Sequence, residues 1–135
     1  RICFELAESS VVEKLEPSRR FVDVLHGMGC EFALDDFGSN FGTFQNLKSL
    51  RVDYLKIDGS FIRDLGADKS NQVFVKALND IARDMGKQVI AEWVETPEVL
   101  GLLQDIGAQY GQGYLFSPPA LLEDNRGLAE NFSAA

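Results

Sequence analysis

The sequence predicts an α/β protein with parallel strands, organised as part of a (β/α) TIM-type barrel. Short apolar runs recur five times, and segments of helical period separate them. A polar residue also stands near the end of each run. Parallel strands need long crossover connections, so strands that alternate with helices indicate parallel pairing with right-handed crossovers.

The predicted strands are short apolar runs bounded by turn or helix signals. They cover residues 2–6, 32–36, 54–58, 88–92 and 110–116. The clearest helix is predicted over residues 71–85, and one face of it should be buried. Its apolar residues recur at steps of three and four, namely Phe74, Leu78, Ile81 and Met85. Thr96 before Pro97 predicts a helix start, and Gly107 predicts its end.

Composition excludes several classes of protein. The chain has 135 residues, of which 45% are hydrophobic, so it can bury the core of one domain. The net charge is -8 without a basic stripe, which argues against binding a nucleic-acid polymer. No stretch approaches the roughly 20 apolar residues that span a bilayer, so we expect no membrane contact by this segment. Cys3 and Cys30 are expected to be reduced core thiols, consistent with the cytoplasm.

Side-chain parity predicts where the polar residues lie. Successive strand residues face opposite sides of a sheet, so one set should point into the barrel. The set with a polar residue near each strand end is Cys3 and Glu5, Ala33 and Asp35, Tyr54 and Lys56, Ile90 and Glu92, and Tyr110 and Gln112. In a (β/α) barrel, such a layer near the carboxyl ends of the strands is the floor of the active site.

Three carboxylates at strand ends are the candidate metal ligands: Glu5, Asp35 and Asp36. Clustered carboxylates repel one another unless a cation compensates them, and hard oxygen ligands suit Mg²⁺ or Mn²⁺. The alternative is that Asp35 and Asp36 only cap the loop over residues 37–42.

Lys56 and Glu92 are the candidate catalytic residues. A lysine in the middle of a buried strand needs an anionic partner, and its ammonium could polarise a water that Glu92 orients or deprotonates. Alternatively, Lys56 could extend to solvent or pair with Asp58.

Gln112 is a candidate substrate-binding residue, because its neighbours Gly111 and Gly113 permit close approach of a ligand to the backbone. The alternative is a tight turn. Trp93 could stack on a ligand, although an aromatic after a strand is more often a packing residue.

Five segments together resemble the EAL domain family over residues 1 to about 119. They are FELAES, DDFGSNFGTF, DYLKIDGSFI, VIAEWVET and GAQYGQGYLF, in the family's order and at compatible spacings. This resemblance implies a (β/α) barrel that binds the bacterial second messenger cyclic di-GMP and usually hydrolyses it to the linear dinucleotide.

The resemblance also implies residue roles. Glu5, Asp35 and Asp36 would bind metal, Lys56 and Glu92 would position the attacking water, and Gln112 would line the substrate pocket. Glu8 resembles the residue that anchors the loop after Asp36. The family uses two Mg²⁺ or Mn²⁺ ions. Three residues depart from its pattern: Trp93, where the family most often has Gly, and Asn40 and Gly42 in the loop.

Residues 1–119 are expected to be the C-terminal half of an EAL domain, and residues 120–135 a terminal helix or polar tail. The family's N-terminal half, with its Glu-Ala-Leu signature and an Asn metal ligand, is not in the sequence. We therefore expect no appreciable hydrolysis by the chain alone. Open edges at residues 2–6 or 110–116 are expected to promote homo-oligomers. The parent protein, which could be membrane-tethered, is then a phosphodiesterase, a non-catalytic cyclic di-GMP receptor or an interaction module.

Overall fold

A computed structural model describes residues 2–39 and 47–121 and contains a five-stranded parallel sheet. The strands follow one another in space in chain order, and every neighbouring pair is parallel. They are β1 (Cys3–Ala7), β2 (Glu31–Phe37), β3 (Tyr54–Ile57), β4 (Gln88–Ala91) and β5 (Tyr110–Gly111). The predicted fold class is confirmed. Within the described residues the sheet is not closed, and β1 and β5 are its edges.

Within the described residues, helices occupy three of the crossovers between the parallel strands. They are α1 (Glu8–Glu13) and α2 (Leu15–His26) between β1 and β2, α3 (Gly59–Arg63) and α4 (Lys69–Asp84) between β3 and β4, and α5 (Pro97–Ile106) between β4 and β5. The predicted start and end of α5 are correct. Thr96 Oγ1 accepts a hydrogen bond from the Val99 amide, and Gly107 ends the helix with a φ of 88°.

The core lies between the sheet and these helices. On the strands it is built from side chains that alternate with the polar layer, including Phe32, Leu34, Leu55, Ile57, Val89 and Ala91. Helix α4 buries Val75, Leu78 and Ala82 against it, whereas the predicted Phe74 and Met85 lie at its margin and Ile81 is only partly buried. The predicted spacing of the buried residues is therefore correct, but the buried face is centred about one residue later in the sequence than predicted.

The register confirms the parity on which the site prediction depended. Glu5 pairs with Ala33 and Ala33 with Tyr54, while Lys56 pairs with Ile90 and Ile90 with Tyr110. Residues in register share one face of a parallel sheet. The predicted polar layer therefore lies on one face of the observed sheet.

Two expectations from the sequence need correction. The fifth strand ends at Gly111, not at residue 116, because the chain turns: Phe116 donates its amide hydrogen bond back to Gly113. The possible pairing edge there is correspondingly short. Cys3 is exposed and Cys30 half-buried, so Cys3 is not a core thiol. Most of the predicted tail, residues 122–135, lies outside the described residues.

No helix within residues 2–39 and 47–121 has the length and apolar character needed to cross a bilayer.

Buried Asn79 ties α4 to the end of α5. Its side chain is fully buried, and Nδ2 donates a hydrogen bond to the Ile106 carbonyl at 3.1 Å. That carbonyl belongs to the last turn of α5, where backbone acceptors lack partners within the helix. The contact therefore fixes the orientation of α5 before the chain enters β5.

We predict that Asn79→Ala lowers the free energy of unfolding by about 1–3 kcal/mol, because it removes the hydrogen bond to the partly buried Ile106 carbonyl. Urea unfolding of the 135-residue chain measures this. Val73→Ala on the same helix is the control, since Val73 is exposed and should change stability by less than about 0.5 kcal/mol. Equal losses for the two variants would contradict the assignment.

Candidate metal centre

Lys56 lies at the centre of the polar layer. It stands on β3, its side chain is only 4% exposed, and its ammonium contacts three carboxylates from three other strands or strand ends. Nζ lies 3.0 Å from Glu5 Oε2, 2.9 Å from Asp35 Oδ1 and 2.8 Å from Glu92 Oε1. Neither alternative for Lys56 describes the structure. Asp58 instead accepts a hydrogen bond from the Ser60 amide and caps α3.

The charges of this cluster do not balance. Burial disfavours the ammonium of Lys56, but hydrogen bonds to Glu92, Asp35 and Glu5 outweigh it and raise its pKa above the usual range. Lys56 is therefore charged. Burial raises the pKa of Glu92, and repulsion from Asp35 and Asp36 prevents the attraction of Lys56 from lowering it. One ammonium thus faces an excess of carboxylates.

A bulge explains how the adjacent residues Asp35 and Asp36 reach the same site. Between Leu34 and Phe37 the register of β2 shifts, with three steps along β2 against two along β3. Asp36 has a φ of 57°, a left-handed conformation that suits an extra residue in a strand. Neighbouring strand residues would otherwise point to opposite faces. The sequence pattern carried no signal for this bulge other than the repeated Asp.

The bulge assembles a group of oxygen ligands. Carboxylate oxygens of Asp35, Asp36 and Glu92 all lie within 4.8 Å of one another. Burial raises the pKa of Asp36, and the nearby Asp35 adds to the effect. Hard oxygen donors with excess negative charge at this spacing fit a divalent cation such as Mg²⁺ or Mn²⁺. The acidic cluster is thus a candidate metal centre.

Glu5 and Glu92 are arranged differently from the sequence expectation. Glu5, a predicted ligand, is half exposed and contacts Lys56. Glu92, predicted as a catalytic residue that orients or deprotonates water, lies among the possible ligands. The individual roles of both residues stay predictions.

Glu8 is fully buried at the start of α1, directly after β1. The Ser39 hydroxyl donates a hydrogen bond to its Oε2 at 3.2 Å. This contact joins Glu8 to the segment after β2, and its role as a loop anchor stays a prediction. Asn40 and Gly42 lie outside the described residues.

Gln112 follows β5 and is held by its backbone. Its amide donates to the Ala91 carbonyl at 2.8 Å, and its carbonyl accepts from the Val94 amide at 3.0 Å. A Cβ on Gly113 would lie 2.3 Å from the Val94 carbonyl oxygen. Gly113 therefore permits close packing of the protein's own backbone, and its role in ligand approach stays a prediction.

A cavity of about 350 Å³ opens beside the acidic cluster and has the size of a small-molecule site. Its walls join the loops that follow β4 and β5 to the end of α3. The lining residues are Arg63, Glu92, Trp93, Glu95, Gln112, Gly113 and Tyr114. Glu92 and Gln112 were predicted at the site, whereas Arg63, Glu95 and Tyr114 were not. They lie after strand ends or on a short helix, where the sequence has no periodicity to mark them.

Trp93 has a φ of 55°, which is rare for a bulky residue. Glycine, the residue that the resemblance implies at this position, would adopt this positive φ without strain. A Cβ on Gly59 would come within 2.4 Å of the indole, so the ring packs directly against that glycine.

The chain is similar to known proteins over most of its length. The EAL domain family model matches residues 1–119. The cyclic di-GMP phosphodiesterase PdeB of Shewanella oneidensis is 39% identical over 118 residues, which cover 87% of this chain and 14% of PdeB.

Solved structures are similar over most of the chain. The EAL domain of Mycobacterium smegmatis DcpA superimposes with a TM-score of 0.87 at 38% identity, over 96% of this chain and 58% of that one. The manganese and cyclic di-GMP complex of Klebsiella pneumoniae BlrP1 has a TM-score of 0.81 at 31% identity, over 87% of this chain and 30% of that one.

This chain therefore spans only part of the length of these relatives. Its five strands, its acidic strand ends and the family match over residues 1–119 agree with one another. The chain belongs to the EAL domain family.

Proposed function

We propose that residues 1–119 form the C-terminal half of an EAL barrel, and that the complete domain hydrolyses cyclic di-GMP to the linear dinucleotide. The observation that carries this proposal is the cluster of Asp35, Asp36 and Glu92, with oxygens within 4.8 Å, in contact with the buried ammonium of Lys56. Carboxylates alone would repel a phosphodiester. A divalent cation held by them would attract one.

Asp35, Asp36 and Glu92 would hold the cation, and the complete site is proposed to hold two, Mg²⁺ or Mn²⁺. When bound, such ions activate water as a nucleophile and neutralise charge on the phosphate. The complex of BlrP1 with manganese and cyclic di-GMP supports the choice of metal and ligand. The name of PdeB supports the reaction.

The chain's own residues would orient and deprotonate the attacking water. The Lys56 ammonium contacts three carboxylates, which use its three N–H groups. A carboxylate that coordinates a cation would release one of these N–H groups, which could then donate a hydrogen bond to a water or developing hydroxide. Glu92, whose Oε1 lies 2.8 Å from Lys56 Nζ and which lines the adjoining cavity, is proposed as the proton acceptor. Gln112, on the wall of the adjoining cavity, would contact the substrate.

Calorimetry and product chromatography test the proposal together. We expect the 135-residue chain to bind cyclic di-GMP only with Mg²⁺ or Mn²⁺, and a complete EAL domain carrying these residues to release the linear dinucleotide. Asp36→Asn should lower both metal affinity and turnover by about ten-fold or more. Asp105→Asn, the same change at an exposed site on α5, should alter neither.

Binding without product in the complete domain would favour a receptor. Absence of binding in the presence of metal would contradict both functions.

The position of Lys56 gives a second prediction, because its ammonium occupies carboxylates that a cation would use. Lys56→Met should destabilise the metal-free chain by about 3 kcal/mol, the lower end of the range for removing one partner of a buried ion pair, since Glu5 is half exposed. It should also raise Mn²⁺ affinity by about ten-fold, because one repelling charge a few ångströms away is removed.

Electron paramagnetic resonance of free Mn²⁺ measures that affinity, and urea unfolding measures stability. Lys76→Met is the matched control, since Lys76 is an exposed lysine paired with Asp80 on α4. Weaker Mn²⁺ binding by Lys56→Met than by the native chain would show that Lys56 supports the cation site instead of competing for it.

A further inference from the structure

Trp93 combines backbone strain with exposure. Its φ of 55° is unfavourable for a side chain with a Cβ, yet its indole is 47% exposed. A residue kept only for packing would be expected to bury its ring. Strained backbone persists where surrounding contacts hold it, and it is frequent at ligand-binding positions.

The indole is held from the side of helix α3. Gly59 packs directly against the ring, and the Arg63 guanidinium carbon lies 4.1 Å from a ring centroid of Trp93. Residues four apart lie on the same face of a helix, so Gly59 and Arg63 approach the indole from one side. The cation–π contact with Arg63 restrains the ring further.

The exposed part of this ring lines a cavity that also contains Glu92. Trp93 follows Glu92 directly, and both line the cavity of about 350 Å³ with Gln112 and the 69% exposed Tyr114. The cavity therefore offers an aromatic surface one residue from the carboxylate cluster. Aromatic rings bind nucleobases by stacking, and the energy depends little on the base.

We propose that Trp93 is a substrate-positioning residue whose indole stacks on a purine base of the cyclic dinucleotide. This inference rests on the proposed function and assigns one base to the cavity beside Glu92. The stack would place the attached ribose and phosphate toward the Asp35, Asp36 and Glu92 cluster. Fixing the base in this way limits the orientations of the phosphodiester relative to Lys56.

Fluorescence tests the contact directly, because Trp93 is the only tryptophan of the chain. With Mn²⁺ replaced by the non-quenching Mg²⁺, titration with cyclic di-GMP should quench the tryptophan emission. Guanosine monophosphate should also quench it, whereas ribose 5-phosphate, which has no base, should not. This readout uses the native chain and does not depend on the folding of a variant.

Two variants test the contribution to affinity. Trp93→Phe and Trp93→Leu both keep a side chain at the strained position, so they differ chiefly in whether a ring is present. Loss of one stacking contact corresponds to about a five-fold to 150-fold weaker Kd, that is ~1–3 kcal/mol. We expect this loss in calorimetry for Trp93→Leu and a smaller one for Trp93→Phe.

The possible results distinguish the stacking role of Trp93 from the proposed function of the domain. Native binding of cyclic di-GMP without quenching, or equal affinity of the Leu and Phe variants, would overturn the stacking role and leave the proposed function intact. Lack of binding by the native chain with Mg²⁺ would overturn both.

Discussion

The buried ammonium of Lys56 is the interaction on which the site depends. It extends from the middle strand of the sheet and contacts carboxylates contributed by β1, by β2 and by the residue after β4. Without a cation in that position, these neighbouring carboxylates would repel one another, and protonation of the more buried ones would relieve the repulsion. Lys56 thus holds the strand ends together electrostatically while the apolar layer beneath holds them by packing. Its single charge still leaves the cluster negative, and this excess is what a divalent cation can use.

Asp36 and Trp93 have left-handed backbone, and in each case this directs the side chain to a place that regular strand geometry would not allow. The bulge at Asp36 turns a second carboxylate of β2 toward the site. The turn at Trp93 directs an indole from the end of β4 into the adjoining cavity. Regular β-structure would send both side chains to the opposite face. Local strain at Asp36 and Trp93 is therefore concentrated where the carboxylates and the cavity meet, while the described strands elsewhere keep a continuous register.

Much of this arrangement could be predicted because parallel strands obey a simple parity. Once the apolar runs were recognised, the positions of Glu5, Asp35, Lys56 and Glu92 on one face followed from alternation, and the register agrees. The bulge could not be predicted, since it depends on the fit between β2 and β3 and not on local composition. The early end of β5 also depends on a tertiary contact, because Gly113 packs on the Val94 backbone. No periodic pattern in the sequence marks this contact. Arg63 and Tyr114 reach the cavity from a short helix and a turn, so only the folded chain reveals them.

Anomalous diffraction from crystals of the chain grown with Mn²⁺ would show directly whether the carboxylate cluster binds a divalent cation. The account predicts a manganese peak coordinated by oxygens of Asp35, Asp36 and Glu92, with the Lys56 ammonium displaced from at least one of the carboxylates it contacts. A fully ordered cluster in which Lys56 keeps all three contacts and manganese is bound only elsewhere would contradict it.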